Sequence, residues 1–94
     1  MDTALFLSLV KARLGLTSTA RDTYLTAIIN SVITELEDEK GLTLDSANAN
    51  QLMFVVDYAT WRHLNRDSDK GMPRHLQFRL HNLILHNKAE VDNS

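Results

Sequence analysis

From Leu52 to Trp61 the chain is apolar on almost every side of a helical wheel, interrupted only by Asp57 and Thr60. A surface helix carries one apolar stripe, whereas a helix that is apolar all round must be packed by neighbours on two or more faces. The segment therefore predicts a central helix, opening near an Asp45 N-cap and running to about Arg66. Whatever fold the chain adopts has to surround it.

The remaining sequence supplies the neighbours. Thr3 is placed to cap a first helix that runs to about Leu14 and stops at Gly15, with Leu5, Leu9 and Ala12, helped by Phe6, as its stripe. A second helix is expected after Thr17 or Ser18 and before Gly41. Its residues Tyr24, Leu25, Ile28, Ile29, Val32, Ile33 and Leu36 recur at helical spacing. Pro73 opens a fourth helix, whose stripe is Leu76, Leu80, Leu83 and Ile84 and which is expected to fade near His86. Three glycines and one proline in 94 residues are too few for an all-β chain with many tight turns. The expectation is an all-α chain, a small four-helix bundle over residues 1–86, followed by a short flexible C-terminal tail over 87–94. A chain this long holds one domain and buries about 64% of its unfolded surface.

Composition narrows the function classes. The chain has no cysteine, so disulfides, thiolate zinc sites and cysteine nucleophiles are excluded. The longest uncharged apolar stretch, Ala4 to Val10, is too short to cross a bilayer, and no basic leader precedes it, which leads to the expectation of a soluble, non-secreted protein without a membrane partner. The net charge of −2 argues against general nucleic-acid binding by charge alone. Its distribution is more informative. Residues 35–57 set Lys40 against Glu35, Glu37, Asp38, Glu39, Asp45 and Asp57, whereas residues 58–88 carry six basic side chains against Asp67 and Asp69. An acidic middle and a basic second half make a dipolar surface if the two blocks face different ways.

No constellation of residues reads as an active site. His63, His75, His81 and His86 are separated by 12, 6 and 5 positions, which scatters the rings, whereas helical zinc ligands favour three or four. The run Asp67-Ser68-Asp69-Lys70-Gly71 begins like a calcium loop, but position twelve is Phe78 where a bidentate glutamate is required. Three isolated glycines build no phosphate loop. The chain is read as a non-enzyme with no cofactor and no metal.

Three features ask for more than a bland globular reading. Glu35, Glu37, Asp38 and Glu39 occupy the last turns of helix two, where the dipole disfavours negative charge, and suit either a solubilising end or a patch for a partner. Asp57 inside the most apolar helix needs a salt bridge, with Arg74 or Arg79 of helix four as the candidates. Phe54, Tyr58 and Trp61 form an aromatic stripe, assigned to core packing first and a subunit interface second.

Certain stretches resemble a known family. The order of elements, with Leu9-Val10-Lys11-Ala12-Arg13-Leu14-Gly15-Leu16, then Asp57-Tyr58-Ala59-Thr60-Trp61-Arg62 and Asn65-Arg66-Asp67, and finally Gly71-Met72-Pro73-Arg74-His75-Leu76-Gln77-Phe78-Arg79-Leu80-His81-Asn82-Leu83, resembles the head–tail connector (adaptor) proteins of tailed bacteriophages. The resemblance spans roughly residues 5–86. It implies a structural virion protein of the neck, made in the host cytoplasm, that forms a homo-oligomeric ring, expected to be dodecameric. Such a ring sits between the portal protein and a stopper or tail-completion protein. It extends the channel through which DNA passes during packaging and ejection, without sequence-specific binding. Under that reading Glu35, Glu37, Asp38, Glu39, Arg62, Arg66, Arg74, Arg79, Lys88 and Val91 are the interface candidates, and Asp57, Trp61 and Pro73 are structural. The alternative is a small helical DNA-binding protein, a helix-turn-helix or terminase-like subunit with Arg62–Arg79 as its basic face. A small dimerising helical protein of the toxin–antitoxin kind is a third.

Overall fold

The computed structural model describes residues 3–45, 47–68 and 71–92, the last five by their backbone alone. Four helices make up the fold: α1 (Thr3–Leu14), α2 (Asp22–Thr34), α3 (Ala49–Leu64) and α4 (Arg74–Asp92). α2 runs on into a π-helical turn, Glu35–Glu39. No strand occurs among the described residues, and the chain is an all-α four-helix bundle.

α3 is the central helix, as its apolar girth predicts. α1, α2 and α3 pack on one another pairwise, whereas among the described residues α4 rests on α3 and on no other helix. Tie points fix the directions. Thr3 Oγ1 donates to Asn30 Oδ1 (3.3 Å) and Lys11 Nζ lies 2.9 Å from Asp22 Oδ1, so α1 and α2 are antiparallel. The Tyr24 ring meets the edge of His63 at 5.9 Å, which sets the start of α2 beside the end of α3. Asn87 of α4 accepts from the Thr43 N–H (3.1 Å), which brings the far part of α4 back to the loop before α3.

The core is built from Phe6 and Val10, from Leu25, Ile28, Ile29, Val32 and Leu36, from Phe54, Val55, Val56, Tyr58 and Ala59, and from Leu76 and Leu80. In α1 the buried pair is Phe6 and Val10, whereas Leu5 and Ala12 of the expected stripe are exposed. That helix is apolar around much of its girth, so its period alone could not choose between neighbouring stripes. Phe6 offers the larger area to bury.

Helix ends follow local chemistry. Gly15 (φ 72°) closes α1 in a Schellman motif, with Gly15 N–H to Ala12 O (3.3 Å) and Leu16 N–H to Lys11 O (2.9 Å). Gly41 (φ 69°) does the same after α2, but the Leu42 N–H reaches back to Leu36 O (2.9 Å), one residue further. The π-helical turn accounts for the shift: the Lys40 N–H bonds to Glu35 O (3.1 Å), so one extra residue is held in the last turn.

Several expected boundaries are corrected. α2 opens at Asp22, after a short turn in which Ser18 Oγ accepts from the Ala20 N–H (3.1 Å). The N-cap of α3 is Asn48, whose Oδ1 accepts from the N–H groups of Asn50 (3.1 Å) and Gln51 (3.2 Å). Asp45 instead closes a local turn onto the Ala47 N–H (2.9 Å). Pro73 stands one residue ahead of α4, its carbonyl accepting from Leu76 and Gln77. The largest correction is at the other end of α4, which continues past His86 to Asp92, so the expected domain boundary at residue 86 falls inside a helix. The Asn87 contact holds the next turn in place, and Lys88, Ala89 and Glu90 are good helix formers. Asn93 and Ser94 of the expected tail lie outside the described residues.

Candidate interaction surface

Asp57 joins three helices. Its Oδ2 lies 2.7 Å from Arg79 Nη1 of α4, and its Oδ1 lies 3.3 Å from Arg13 Nη1 of α1, off the line of a hydrogen bond. The expected pairing with helix four is thus made by Arg79, whereas Arg74 is exposed. The Arg79 guanidinium also lies over the Phe54 ring, 5.5 Å from its centre. Arg13 was not foreseen, because nothing in the spacing tied the end of helix one to Asp57.

A second polar network sits between α2 and α3. Arg62 donates from Nη1 to Ser31 Oγ (3.0 Å), and from Nη2 to Tyr58 OH (2.7 Å) and Glu35 Oε1 (3.3 Å). The guanidinium carbon stands 4.8 Å from the Tyr58 ring centre. Burial, and then the Glu35 carboxylate, push the Tyr58 phenol above its usual range against the opposing pull of Arg62. Trp61 is half-buried and stacks on Tyr58 at 6.2 Å. Glu35 and Arg62 are therefore paired within one chain, as Asp57 and Arg79 are. Two of the arginines in the suggested DNA-binding face are likewise spent internally.

The free charges separate by position. Glu37, Asp38 and Glu39 are exposed at the end where α2 finishes and α3 begins, with Asp45 nearby. Arg21, Arg66 and Arg74 are exposed at the opposite end, where α2 begins, α3 finishes and α4 starts. Arg66 also donates to its own chain, to His63 O (2.8 Å). Lys40 is exposed among the acids and Asp67 among the arginines, so the two ends differ in net sign rather than being purely acidic and basic. Lys88 and Val91 lie on the last turns of α4, and their side chains are outside the described residues.

Sequence reasoning missed two buried polar side chains. His63 is only 4% exposed, and its Nδ1 has no hydrogen-bond partner. Burial, followed by the charges of Arg66 and Arg21, lowers its pKa below 6.5. The signal was present: His63 extends the buried row Val56, Ala59 and Thr60 at helical spacing. Gln51 is 5% exposed, accepts from the Asp45 N–H (2.7 Å) and donates to Thr43 O (3.2 Å), thereby ordering the loop ahead of α3.

A groove of about 340 Å³ opens between the first turns of α3 and the second half of α4, lined by Met53 and Leu83, by Asn50, Asn82 and Asn87, and by the basic side chains Arg79 and His86. Among the described residues no group of three His, Asp or Glu is placed to hold a metal, and no helix is long and apolar enough to cross a membrane. The chain matches no protein-family model, no curated protein and no solved structure.

Proposed function

We propose that this chain is a structural adaptor that assembles into a ring, as the head–tail connectors it resembles do, between a portal and a stopper or tail-completion protein in the neck of a virion. The observation that supports the reading is the net separation of exposed charge to opposite ends of the bundle, Glu37, Asp38 and Glu39 against Lys40 at one and Arg21, Arg66 and Arg74 against Asp67 at the other. A ring needs heterologous contacts, in which one patch of a subunit meets a different patch of the next, and opposite charge supplies a complementary pair. A helix that among the described residues packs on only one other helix fits a protein whose neighbours complete its packing. DNA passes through the channel without base-specific contacts, and the ring has no catalytic role.

Sedimentation analysis and electron micrographs of the concentrated protein test this. Closed rings that copurify with portal-bearing capsids support the adaptor. Closed dimers, or a monomer at every concentration, overturn it. Salt-dependent retardation of duplex DNA at micromolar protein would favour the DNA-binding module instead.

A further inference from the structure

The groove between α3 and α4 holds positive charge that the chain does not balance. Arg79 lines it and no carboxylate does; Glu37, Asp38 and Glu39 lie at that end of the bundle but outside the lining. Among the described residues the Arg79 side chain donates one hydrogen bond, from Nη1 to Asp57 Oδ2. A guanidinium has five N–H donors, so most of its capacity is unused. Asp57 is itself shared, because Arg13 faces its other oxygen at 3.3 Å. Two guanidinium groups thus stand on one carboxylate, and one positive charge is left over. With 38% of its side chain exposed, Arg79 is not sealed into the core. Asn50, Asn82 and His86 add further donors to the lining, and among the described residues none of their side chains makes a hydrogen bond. Beside these groups lie Met53, which is 43% exposed, and Leu83, which is partly buried.

From these features we infer that the α3–α4 groove binds a compact organic monocarboxylate with a short aliphatic body. The carboxylate pairs with the Arg79 donors that Asp57 leaves free, since two oxygens in one plane match the guanidinium fork. The amides of Asn50 and Asn82 supply N–H groups for the remaining lone pairs. The aliphatic body lies along Met53 and Leu83 and takes their exposed apolar surface out of water. Charge and size narrow the class. A single negative charge matches the one left over from Arg13, Arg79 and Asp57, whereas a dianion would set a second charge against the Asp57 carboxylate. A cation finds no carboxylate in the lining. The volume of about 340 Å³ lies at the small end of ligand pockets, which limits the body to a few carbons. The site lies within one subunit and is independent of the adaptor reading.

Nuclear magnetic resonance of the full chain, titrated with sodium hexanoate at low salt, tests the site. The side-chain amide signals of Asn50 and Asn82 are expected to shift and to saturate with a Kd of about a millimolar, as suits a small ligand in an open groove. The uncharged 1-hexanol, of the same chain length, binds about tenfold more weakly or worse. Acetate, which lacks the aliphatic body, is weaker than hexanoate by several-fold. Asn82→Asp is the deciding variant. It keeps the size of the side chain at an exposed position and places a carboxylate three residues after Arg79. Its helical signal in circular dichroism is unchanged, and it lowers hexanoate affinity by about tenfold or more. Arg74→Gln, exposed and outside the lining, binds hexanoate as the wild type does. Equal binding of hexanol, or wild-type affinity in Asn82→Asp, would overturn the carboxylate site. So would shifts that stay linear up to about 50 mM hexanoate, well beyond the expected Kd.

Discussion

Arg79 Nη1 lies 2.7 Å from Asp57 Oδ2, and through this pair α4 is pinned to the middle of α3 by charge as well as by packing. The Asp57 side chain is 16% exposed and that of Arg79 is 38% exposed, so the carboxylate carries most of the desolvation and the guanidinium can rehydrate. Asp57→Ala is expected to cost about 2 kcal/mol, below the range for a fully buried pair, because both arginine partners reach water. Arg79→Ala costs less, since Arg13 still faces the carboxylate at 3.3 Å. Denaturant melts of the two variants check the order; equal losses would mean that Arg13 contributes nothing.

His63 gives the fold a pH dependence with a definite sign. Its pKa is lowered below 6.5 in the folded chain, so on acidification the unfolded chain takes up the proton first. Stability is full above about pH 6.5 and falls as the pH drops from there through the folded value. His63→Leu removes both this loss and a buried unpartnered Nδ1. Thermal melts from pH 7.5 to 5 are expected to show a steeper fall for the wild type than for His63→Leu. Parallel curves would mean that the ring is protonated within the fold.

Asn48 and Asp45 separate two positions for the start of α3. Asn48→Ala removes the cap on Asn50 and Gln51 and is expected to cost about 1 kcal/mol. Asp45→Ala removes only a turn contact to Ala47 and costs less than half as much. Paired urea titrations decide it, and a larger loss at Asp45 would move the helix start.

Gly15 tests the Schellman closure of α1. A Cβ there would meet nothing within 4 Å, so the cost of Gly15→Ala is purely conformational, at φ 72°. The expected loss is about 1 kcal/mol. An unchanged melting temperature would place the residue outside the left-handed region.

The helices and their order were legible because apolar period and glycine position are local signals. Asp57 was legible for a related reason: a carboxylate in an apolar helix demands a partner, and Arg79 fell within reach. What the sequence could not convey was how partners are shared. Glu35 and Arg62 looked like free charges because their contact spans 27 positions, and only the antiparallel packing of α2 on α3 brings them together. The end of α4 was placed too early because the contact that holds it, Thr43 to Asn87, spans 44 positions. The spacing of the histidines excludes a zinc site but says nothing of burial, and His63 is buried because it continues the row Val56, Ala59 and Thr60. The charge ends were half legible: the blocks could be counted, but their direction depended on the topology.

The attachment of α4 to one helix divides the molecule into units of unequal resilience. Among the described residues, detaching α1 or α2 breaks two helix interfaces and detaching α3 breaks three, whereas releasing α4 breaks one, along with the Asn87 contact to the loop before α3. Native-state hydrogen exchange is expected to show α4 amides opening at a lower free energy than those of α3, in a sub-global event that spares the other three helices. If the chain assembles as proposed, a subunit that lifts one helix while the remainder holds adjusts the angle at which it meets its neighbours, and a joint between rigid parts takes up small bends without unfolding any of them.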